Sequence, residues 1–328
     1  MFIRTAIILL ACFVLIPLEA SAWNRGTVER FATLPAGSPN PEGIAADSFG
    51  NIYASGFDPI NPGHGKVFVF GPDGALKRVL HVAHSSNALL GMGFSEKGEF
   101  LVIDFGNSQV LRVDPNSGAS RVFMTVPGTG HGLNALTFDS AGNVYVSDSF
   151  QGVIWVTGPN GGVGNVWKSD PLLTTSGFPP FGANGLQFNS DESALFVANT
   201  GNDTVVRITS TAGLAGDATV FTNSINGADG LMLDADDNVW VCANQADEIV
   251  VTDKTGKAIA KIGDFNGVQN GSPVGLLFPA SLVRSGDYIY ITNFSLDLRP
   301  ITGQQSVDSQ WAAQVTAHTI SRIRARIP

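Results

Sequence analysis

One short pattern recurs six times along this chain and constrains its fold more than any other feature. Each copy is a short apolar strand, a cluster of Asp, Ser, Gly and Asn residues suited to a tight turn, and a second apolar strand. The copies begin at Glu42, Leu90, Asn134, Asn184, Asp229 and Ala280, at intervals of 48, 44, 50, 45 and 51 residues. Intervals of this size suit one four-stranded propeller blade. The repeat therefore predicts an all-β protein, a six-bladed β-propeller.

Further apolar runs supply the third and fourth strands of each blade, as in Lys66-Val-Phe-Val-Phe. The sixth copy has a third strand near His318 but lacks a fourth, whereas a strand-like run at residues 27–34 precedes the first copy without a blade of its own. Pairing this N-terminal strand into the last blade would close the ring and remove its open edges. We therefore expect residues 23–328 to form a single domain.

The first 22 residues have the pattern of a signal peptide. Arg4 precedes an apolar run over residues 6–18, and Ala20-Ser-Ala22 provides the small residues that signal peptidase requires. A membrane anchor is the alternative, but the run is short for a bilayer span and is followed by Glu19. We expect cleavage before Trp23 and export to the periplasm or the extracellular space.

Composition narrows the range of partners. With 44% hydrophobic and 14% charged residues, the chain is too apolar to be disordered, and its 38 glycines fit many tight turns. A net charge of -9 and a pI near 4.9 argue against a surface for nucleic acid. Without the leader, Cys242 is the only cysteine, and its apolar surroundings in the sequence predict a buried core residue.

The residues that open the six copies are candidates for a functional site. The first strand of a blade is innermost, so these six positions would meet at one mouth of the central channel. Four of them are polar: Glu42, Asn134, Asn184 and Asp229. Two carboxylates and two amides offer hard oxygen ligands, which suit Ca²⁺ better than Zn²⁺. The alternative is that a polar residue before glycine only caps a turn in solvent.

The set formed by Glu42, Asn184-Gly-Leu and Asp229-Gly-Leu resembles the SMP-30/gluconolactonase/LRE family of six-bladed propellers, over nearly the whole mature chain. The resemblance implies that Glu42, Asn184 and Asp229 hold one divalent ion, usually calcium. It also implies that Asn134 contacts the substrate or a metal-bound water, and that the protein hydrolyses a lactone or a related ester. Other segments are similar to strictosidine-synthase-like propellers and to NHL repeats, which support the same fold.

The chain departs from that family pattern beside Asn134. The family's sugar-lactone enzymes commonly carry Arg two residues earlier and Asp-Gly just after, whereas this chain has Gly132 and Ala135-Leu136. The departure argues against sugar-acid lactones as substrates. Asp229 is the candidate general base, although a role as a permanent metal ligand alone is an equal alternative. His131 lies near the same mouth, but a lone loop histidine is more often solvated.

Four loop segments, at residues 57–64, 171–183, 265–279 and 297–317, are expected on the same face. Their Phe and Pro content suggests a hydrophobic substrate, although these side chains could instead simply cover the blade tops. Two classes of function therefore stay open. One is a metal-dependent lactone or ester hydrolase, and the other is a non-catalytic, NHL-like propeller that binds a protein or a small ligand.

Overall fold

The computed structural model describes residues 23–328, which form a ring of six antiparallel blades with four main strands each. The predicted signal peptide, residues 1–22, lies outside the described residues. Blade one contains β2 (Asn40–Ala46), β3 (Ile52–Phe57), β4 (Lys66–Phe70) and β5 (Leu76–His81). Blade two contains β6 (Leu89–Phe94), β7 (Phe100–Asp104), β8 (Gln109–Val113) and β9 (Ser120–Thr125). Blade three contains β10 (Leu133–Phe138), β11 (Val144–Asp148), β12 (Val153–Thr157) and β14 (Asn165–Ser169).

The second half of the chain continues the pattern. Blade four contains β15 (Ala183–Phe188), β16 (Ala194–Asn199), β17 (Thr204–Thr211) and β18 (Leu214–Asn223). Blade five contains β19 (Ala228–Leu233), β20 (Val239–Ala243), β21 (Glu248–Thr252) and β22 (Ala258–Ile262). Blade six contains β25 (Pro279–Ser285), β26 (Tyr288–Asn293), β27 (Thr319–Arg324) and the N-terminal strand β1 (Glu29–Thr33). The six-bladed propeller predicted from the repeat is confirmed.

The ring closes by pairing its two ends, as the missing fourth strand of the last copy predicted. Strand β1 runs antiparallel to β27, with Glu29 opposite Arg322 and Thr33 opposite Thr319. An ion pair between Glu29 and Arg322, 2.8 Å from Oε2 to Nη2, joins the same two strands. This pairing removes the open edges that an incomplete last blade would present.

Burial is greatest in the second strand of each blade and least in the outermost strand. The first strands of neighbouring blades pack against one another around the whole axis: β2 on β6, β6 on β10, β10 on β15, β15 on β19, β19 on β25 and β25 on β2. The second strands lie between blades and are buried along their length, which explains continuous apolar runs such as Val239-Trp-Val-Cys-Ala243. Cys242 is a buried free thiol, as its sequence context indicated.

The repeated Asp, Asn and aromatic residues close the turn between the first two strands. In blade one, Asp47 Oδ1 accepts the backbone N–H groups of Phe49 and Asn51 at 2.9 Å, and Oδ2 accepts the Asn51 amide at 2.7 Å. Asp139 and Asp234 repeat this arrangement in blades three and five. These carboxylates stabilise turns at the far ends of the first strands, and they belong to the fold rather than to the channel mouth.

Several short elements were not predicted. Gly162-Val163 forms β13 and adds a parallel strand to β9 in blade two. A hairpin of β23 (Phe265–Gln269) and β24 (Ser272–Gly275) precedes blade six. The insertion between β26 and β27 contains two short helices, α1 (Arg299–Thr302) and α2 (Ser309–Ala312). None of the helices within residues 23–328 has the length and apolarity needed to cross a membrane.

Candidate functional site

Each innermost strand carries a β-bulge at the residue that opens its repeat. In β2, Pro41 pairs with Gly56 and Ile44 with Ala54, so Glu42 and Gly43 together face a single residue, Ser55. The other five inner strands break register at the same place. A bulge of this kind re-aims side chains and bends the strand. Six bulges around one axis therefore present the six opening residues to the same end of the channel.

In four of the six copies a glycine follows the opening residue, whereas Ala135 and Ser281 stand at this position in blades three and six. Close packing between blades explains the glycine in blades four and five. A Cβ on Gly185 would lie 2.6 Å from the carbonyl oxygen of Asp229, and one on Gly230 would lie 2.5 Å from that of Ala280. Neither glycine has a positive φ angle, so space rather than backbone conformation demands the small residue. In the recurring pair of a polar residue and a glycine, the glycine therefore serves the packing of the blades.

The four polar residues line one cavity at the channel mouth. Glu42, Asn134, Asn184 and Asp229 are only 4%, 4%, 5% and 5% exposed, and all four line the same space. A polar residue that merely capped a turn in solvent would be far more exposed. Because these carboxylate and amide groups are buried, they need hydrogen-bond partners from the protein or contacts with a bound ligand.

The two carboxylates lack partners for one oxygen each. Oε2 of Glu42 and Oδ1 of Asp229 are buried without a hydrogen bond, while Oδ2 of Asp229 accepts the Asn244 amide at 2.8 Å. Burial raises the pKa of Glu42 well above its usual range, and the nearby Asp229 raises it further. Burial also raises the pKa of Asp229 to about 7, although the amides of Asn244 and Asn184 act against this shift. The pair is therefore an acidic site without a positive charge to balance it.

The two asparagines are oriented by hydroxyl groups of the next strand. Thr200 Oγ1 gives its proton to the carbonyl oxygen of Ala228 at 2.8 Å, so it can only accept from the Asn184 amide nitrogen, at 3.0 Å. Ser149 Oγ likewise donates to the carbonyl oxygen of Ala183 at 2.6 Å and accepts from Asn134 at 3.2 Å. Each amide nitrogen thereby has a hydrogen-bond acceptor for one of its two N–H groups. The amide oxygens of Asn134 and Asn184 are the atoms that remain for a ligand.

These supporting residues form a second ring that the sequence analysis missed. It consists of residues at the end of the second strand of each blade, the last residue of the strand in blade one and the next residue in the other five: Phe57, Phe105, Ser149, Thr200, Asn244 and Phe294. A signal for them existed, because Ser149, Thr200 and Asn244 follow their partners in the first ring by 15, 16 and 15 residues. The same spacing could have been read from every copy of the repeat.

Aromatic side chains surround the cavity, whose volume is about 330 Å³. Ring centroids of adjacent phenylalanines are 5.4 to 5.9 Å apart along the series Phe278, Phe294, Phe57, Phe105, Phe150 and Phe181. The insertion between β26 and β27 adds Leu298, Ile301 and Thr302. All four segments expected on this face therefore contribute to the cavity, through Phe57, Phe181, Phe278 and Leu298.

His131 is not part of this cavity. Its Nδ1 lies 2.8 Å from Oδ2 of Asp148, which also accepts the Trp155 indole N–H at 3.1 Å, and its ring packs against Trp155. Only 6% of its side chain is exposed. The expectation of a solvated loop histidine is therefore wrong: because Asp148 also accepts three backbone N–H groups, it forms a buried cluster that draws the imidazole inward.

The donor set fits a hard divalent cation. No three His, Cys, Asp or Glu side chains within residues 23–328 come together in a group that could hold a metal ion, so any ion here would need amide oxygens as well. Glu42 and Asp229 supply unpaired carboxylate oxygens, and Asn184 supplies an amide oxygen. Oxygen-only sets of this kind suit Ca²⁺ or Mg²⁺, whereas Zn²⁺ favours nitrogen and sulfur.

Comparison with solved structures places the fold among known propellers. A luciferin-regenerating enzyme superposes with a TM-score of 0.65 at 16% identity, over 91% of this chain and 95% of that one. A gluconolactonase from Xanthomonas campestris gives 0.64 at 14% identity, over 92% and 91%. Regucalcin from Agrobacterium tumefaciens, a calcium-binding protein, gives 0.62 at 16%, over 88% and 92%. At these identities the likeness establishes the fold alone.

Sequence comparison identifies the family. No curated protein sequence matches the chain. The model of the SMP-30/Gluconolactonase/LRE-like region matches residues 80–263, which is more than half of the chain. The match includes Asn134, Asn184 and Asp229, while Glu42 lies before it. The chain therefore belongs to the SMP-30/gluconolactonase/LRE-like family.

Proposed function

We propose that the protein is an exported hydrolase of lactones or esters that depends on a divalent cation, most simply Ca²⁺. One observation carries the proposal: two buried carboxylates each leave an oxygen unpaired in one cavity at the channel mouth, beside two oriented amide oxygens. Uncompensated buried charge is costly, and a bound cation would balance it. Among solved proteins of this fold are a gluconolactonase and a calcium-binding protein, which supports the same reading.

The proposed ligands are Glu42, Asn184 and Asp229. Each is held by its own strand bulge, and the Asn244 amide further fixes Asp229 through Oδ2. A bound divalent cation would supply Lewis-acid polarisation of the substrate carbonyl and stabilise the negative charge that develops on its oxygen. The Thr200 hydroxyl keeps the Asn184 amide oxygen available for this role.

The remaining chemistry is proton transfer from the attacking water. Asp229 is our candidate acceptor, through Oδ1, because this carboxylate oxygen is buried without a hydrogen-bond partner and Asp229 lines the same cavity. Water adds to the carbonyl carbon, the ester C–O bond breaks, and the proton leaves with the alcohol oxygen. Asn134, held by Ser149, would orient the substrate or the water through its amide oxygen. The aromatic walls limit bulk water around the reacting groups.

Calorimetric titration of the chelator-stripped protein with Ca²⁺ tests the ion site. We expect one site per chain, with an affinity that falls roughly tenfold or more from pH 8 to pH 6. Below a pKa of about 7, Asp229 is protonated in the metal-free protein, so the cation must displace a proton. Glu42, whose pKa is also raised by burial and by the nearby Asp229, acts in the same direction.

Asp236→Asn is a matched control for this titration, because Asp236 is an exposed carboxylate in the far turn of the same blade. It should bind Ca²⁺ as the wild type does, whereas Asp229→Asn should not. Absence of binding in the wild type, or an affinity unaffected by pH, would contradict the proposed ion site. The first of these results would favour a propeller that only binds a partner or ligand.

A further inference from the structure

We infer that the cavity selects a neutral carbonyl compound with an aliphatic or aromatic substituent, holding the carbonyl against blades three to five and the substituent against blades six, one and two. As a statement about a substrate, this inference rests on the proposed hydrolase function. As a statement about what the cavity binds, it stands on the arrangement of the lining residues.

The first step is the division of the mouth into two halves. In blades three, four and five, both rings are polar: Asn134 with Ser149, Asn184 with Thr200, and Asp229 with Asn244. In blades six, one and two, the second ring is phenylalanine throughout, and the first ring is Ala280, Glu42 and Leu90. Glu42 is thus the only polar opening residue in the apolar half. A ligand with one polar end and one apolar end matches this division.

The second step concerns charge. Within the described part of the chain, Glu42 and Asp229 are the only ionisable residues that line the cavity, and no Arg, Lys or His does. In the ion-loaded protein the proposed divalent cation balances these two acids, so no net positive charge and no cationic side chain remains to receive a free carboxylate or phosphate ester on the substrate. Neutral compounds are therefore favoured over acidic ones.

The third step concerns hydroxyl groups. A sugar lactone carries several hydroxyls, and each would need a partner once water is displaced. The apolar half offers phenylalanine, leucine and proline instead, including Leu90, Phe57 and Phe105. Hydroxyl groups placed there would be left unsatisfied, at a cost that an alkyl chain does not incur.

The fourth step is size. A volume of about 330 Å³, at roughly 30 Å³ per heavy atom by analogy with liquid water, holds about 11 heavy atoms. A five-membered lactone ring with its carbonyl oxygen uses about six of them, which leaves room for a tail of about five carbons. Affinity should therefore rise with tail length and then level off near that length.

Binding can be tested apart from hydrolysis with 2-alkylcyclopentanones, which carry a ring carbonyl and a tail but no ester bond. Titration of Ca²⁺-loaded protein should show affinity rising about threefold to fourfold per methylene up to about five carbons. The corresponding γ-alkyl-γ-lactones should show the same trend in kcat/KM and exceed glucono-δ-lactone at least tenfold.

The outcomes separate this inference from the proposed function. If the ketones bind with the tail dependence but no lactone is hydrolysed, hydrolysis is wrong and the apolar selectivity stands. If lactones are hydrolysed without any tail dependence, or glucono-δ-lactone is the better substrate, the inference is overturned and hydrolysis stands. If the ketones bind without tail dependence, the inference is overturned in either case.

Two variants locate the effect. Leu90→Asn places an amide in the apolar half and should reduce the tail dependence to less than twofold per methylene. Phe105→Ala enlarges that half and should shift the optimum to longer tails, which keeps the test valid if Leu90→Asn fails to fold. Phe49→Ala is the control, because Phe49 is 83% exposed in a turn at the far end of blade one, and it should leave both series unchanged. The same profile in all three variants would contradict the assignment of the apolar half.

Discussion

Asp229→Asn is expected to lower kcat/KM for a lactone by two to four orders of magnitude while the protein stays folded. The change keeps the shape of the side chain, including a partner for the Asn244 amide, but removes one anionic oxygen and the proposed proton acceptor. Glu42→Gln should abolish Ca²⁺ binding without affecting the orientation of Asn184 by Thr200. Steady-state rates and a calcium titration on the same preparations measure both effects, with Asp236→Asn as the control.

Asp229→Asn should also stabilise the metal-free protein against unfolding at high pH. A pKa of about 7 in the folded state, against an ordinary value near 4, means that ionising Asp229 costs about 4 kcal/mol once the pH exceeds 7. Because the folded pKa is raised, this loss is absent below pH 4 and grows as the pH rises to 7. In urea denaturation without metal, the free energy of unfolding of Asp229→Asn should therefore be higher than that of the wild type at pH 8. The difference between the two should become smaller toward pH 4.

A mutant that loses activity and also loses stability at pH 8 would contradict this account. That result would mean that Asp229 is paired in the metal-free protein, through Oδ1 as well as Oδ2. Loss of activity with a gain in stability is what an unbalanced functional acid produces, because burial of its charge costs free energy in the absence of the ion.

The second large effect is on the fold. Gly185→Ala would place a Cβ 2.6 Å from the carbonyl oxygen of Asp229, 2.6 Å from the amide nitrogen of Leu231 and 2.7 Å from the Cα of Gly230. All three atoms belong to the backbone of the neighbouring inner strand, so no side-chain rotation can relieve the contact. We expect the free energy of unfolding to fall by about 3 kcal/mol or more.

Gly158→Ala is the control for this prediction. Gly158 is exposed, lacks a positive φ, and has only Asn143 Oδ1 at 4.0 Å from the position of the added Cβ. Its stability should change by no more than about 1 kcal/mol, in the stabilising direction if at all. Urea denaturation curves of both variants decide the matter. Equal stabilities would show that the inner strands do not approach as closely as described.

The sequence was enough to predict the architecture. A repeat with the length of one blade, in which turn residues separate short apolar strands, is compatible with few folds other than a propeller. The third strand of blade one, Lys66–Phe70, has the bounds predicted from the sequence. Ring closure was predictable because one strand was missing at the end and one was spare at the start. The N-terminal strand predicted at residues 27–34 spans Glu29–Thr33 in the structure.

Contacts between distant blades could not be read from the sequence. The sequence predicted that Glu42 and Asp229 meet at one mouth of the channel, but it did not predict the bulges at these residues, because a bulge interrupts the regular two-residue alternation of a strand. The pairing of His131 with Asp148 depends on a buried cluster of hydrogen-bond donors. From the sequence alone, the Phe and Pro side chains of the loops could equally have covered the tops of the blades. Their position around one cavity follows from the packing of the blades.

The most direct test of the central claim is the rate of γ-nonalactone hydrolysis by chelator-stripped protein before and after Ca²⁺ is returned. We predict negligible hydrolysis by the stripped wild type and recovery that saturates at one ion per chain, with no recovery in Asp229→Asn. Full activity after stripping, or no hydrolysis with Ca²⁺ present, would contradict the assignment of Glu42, Asn184 and Asp229 to a catalytic ion site.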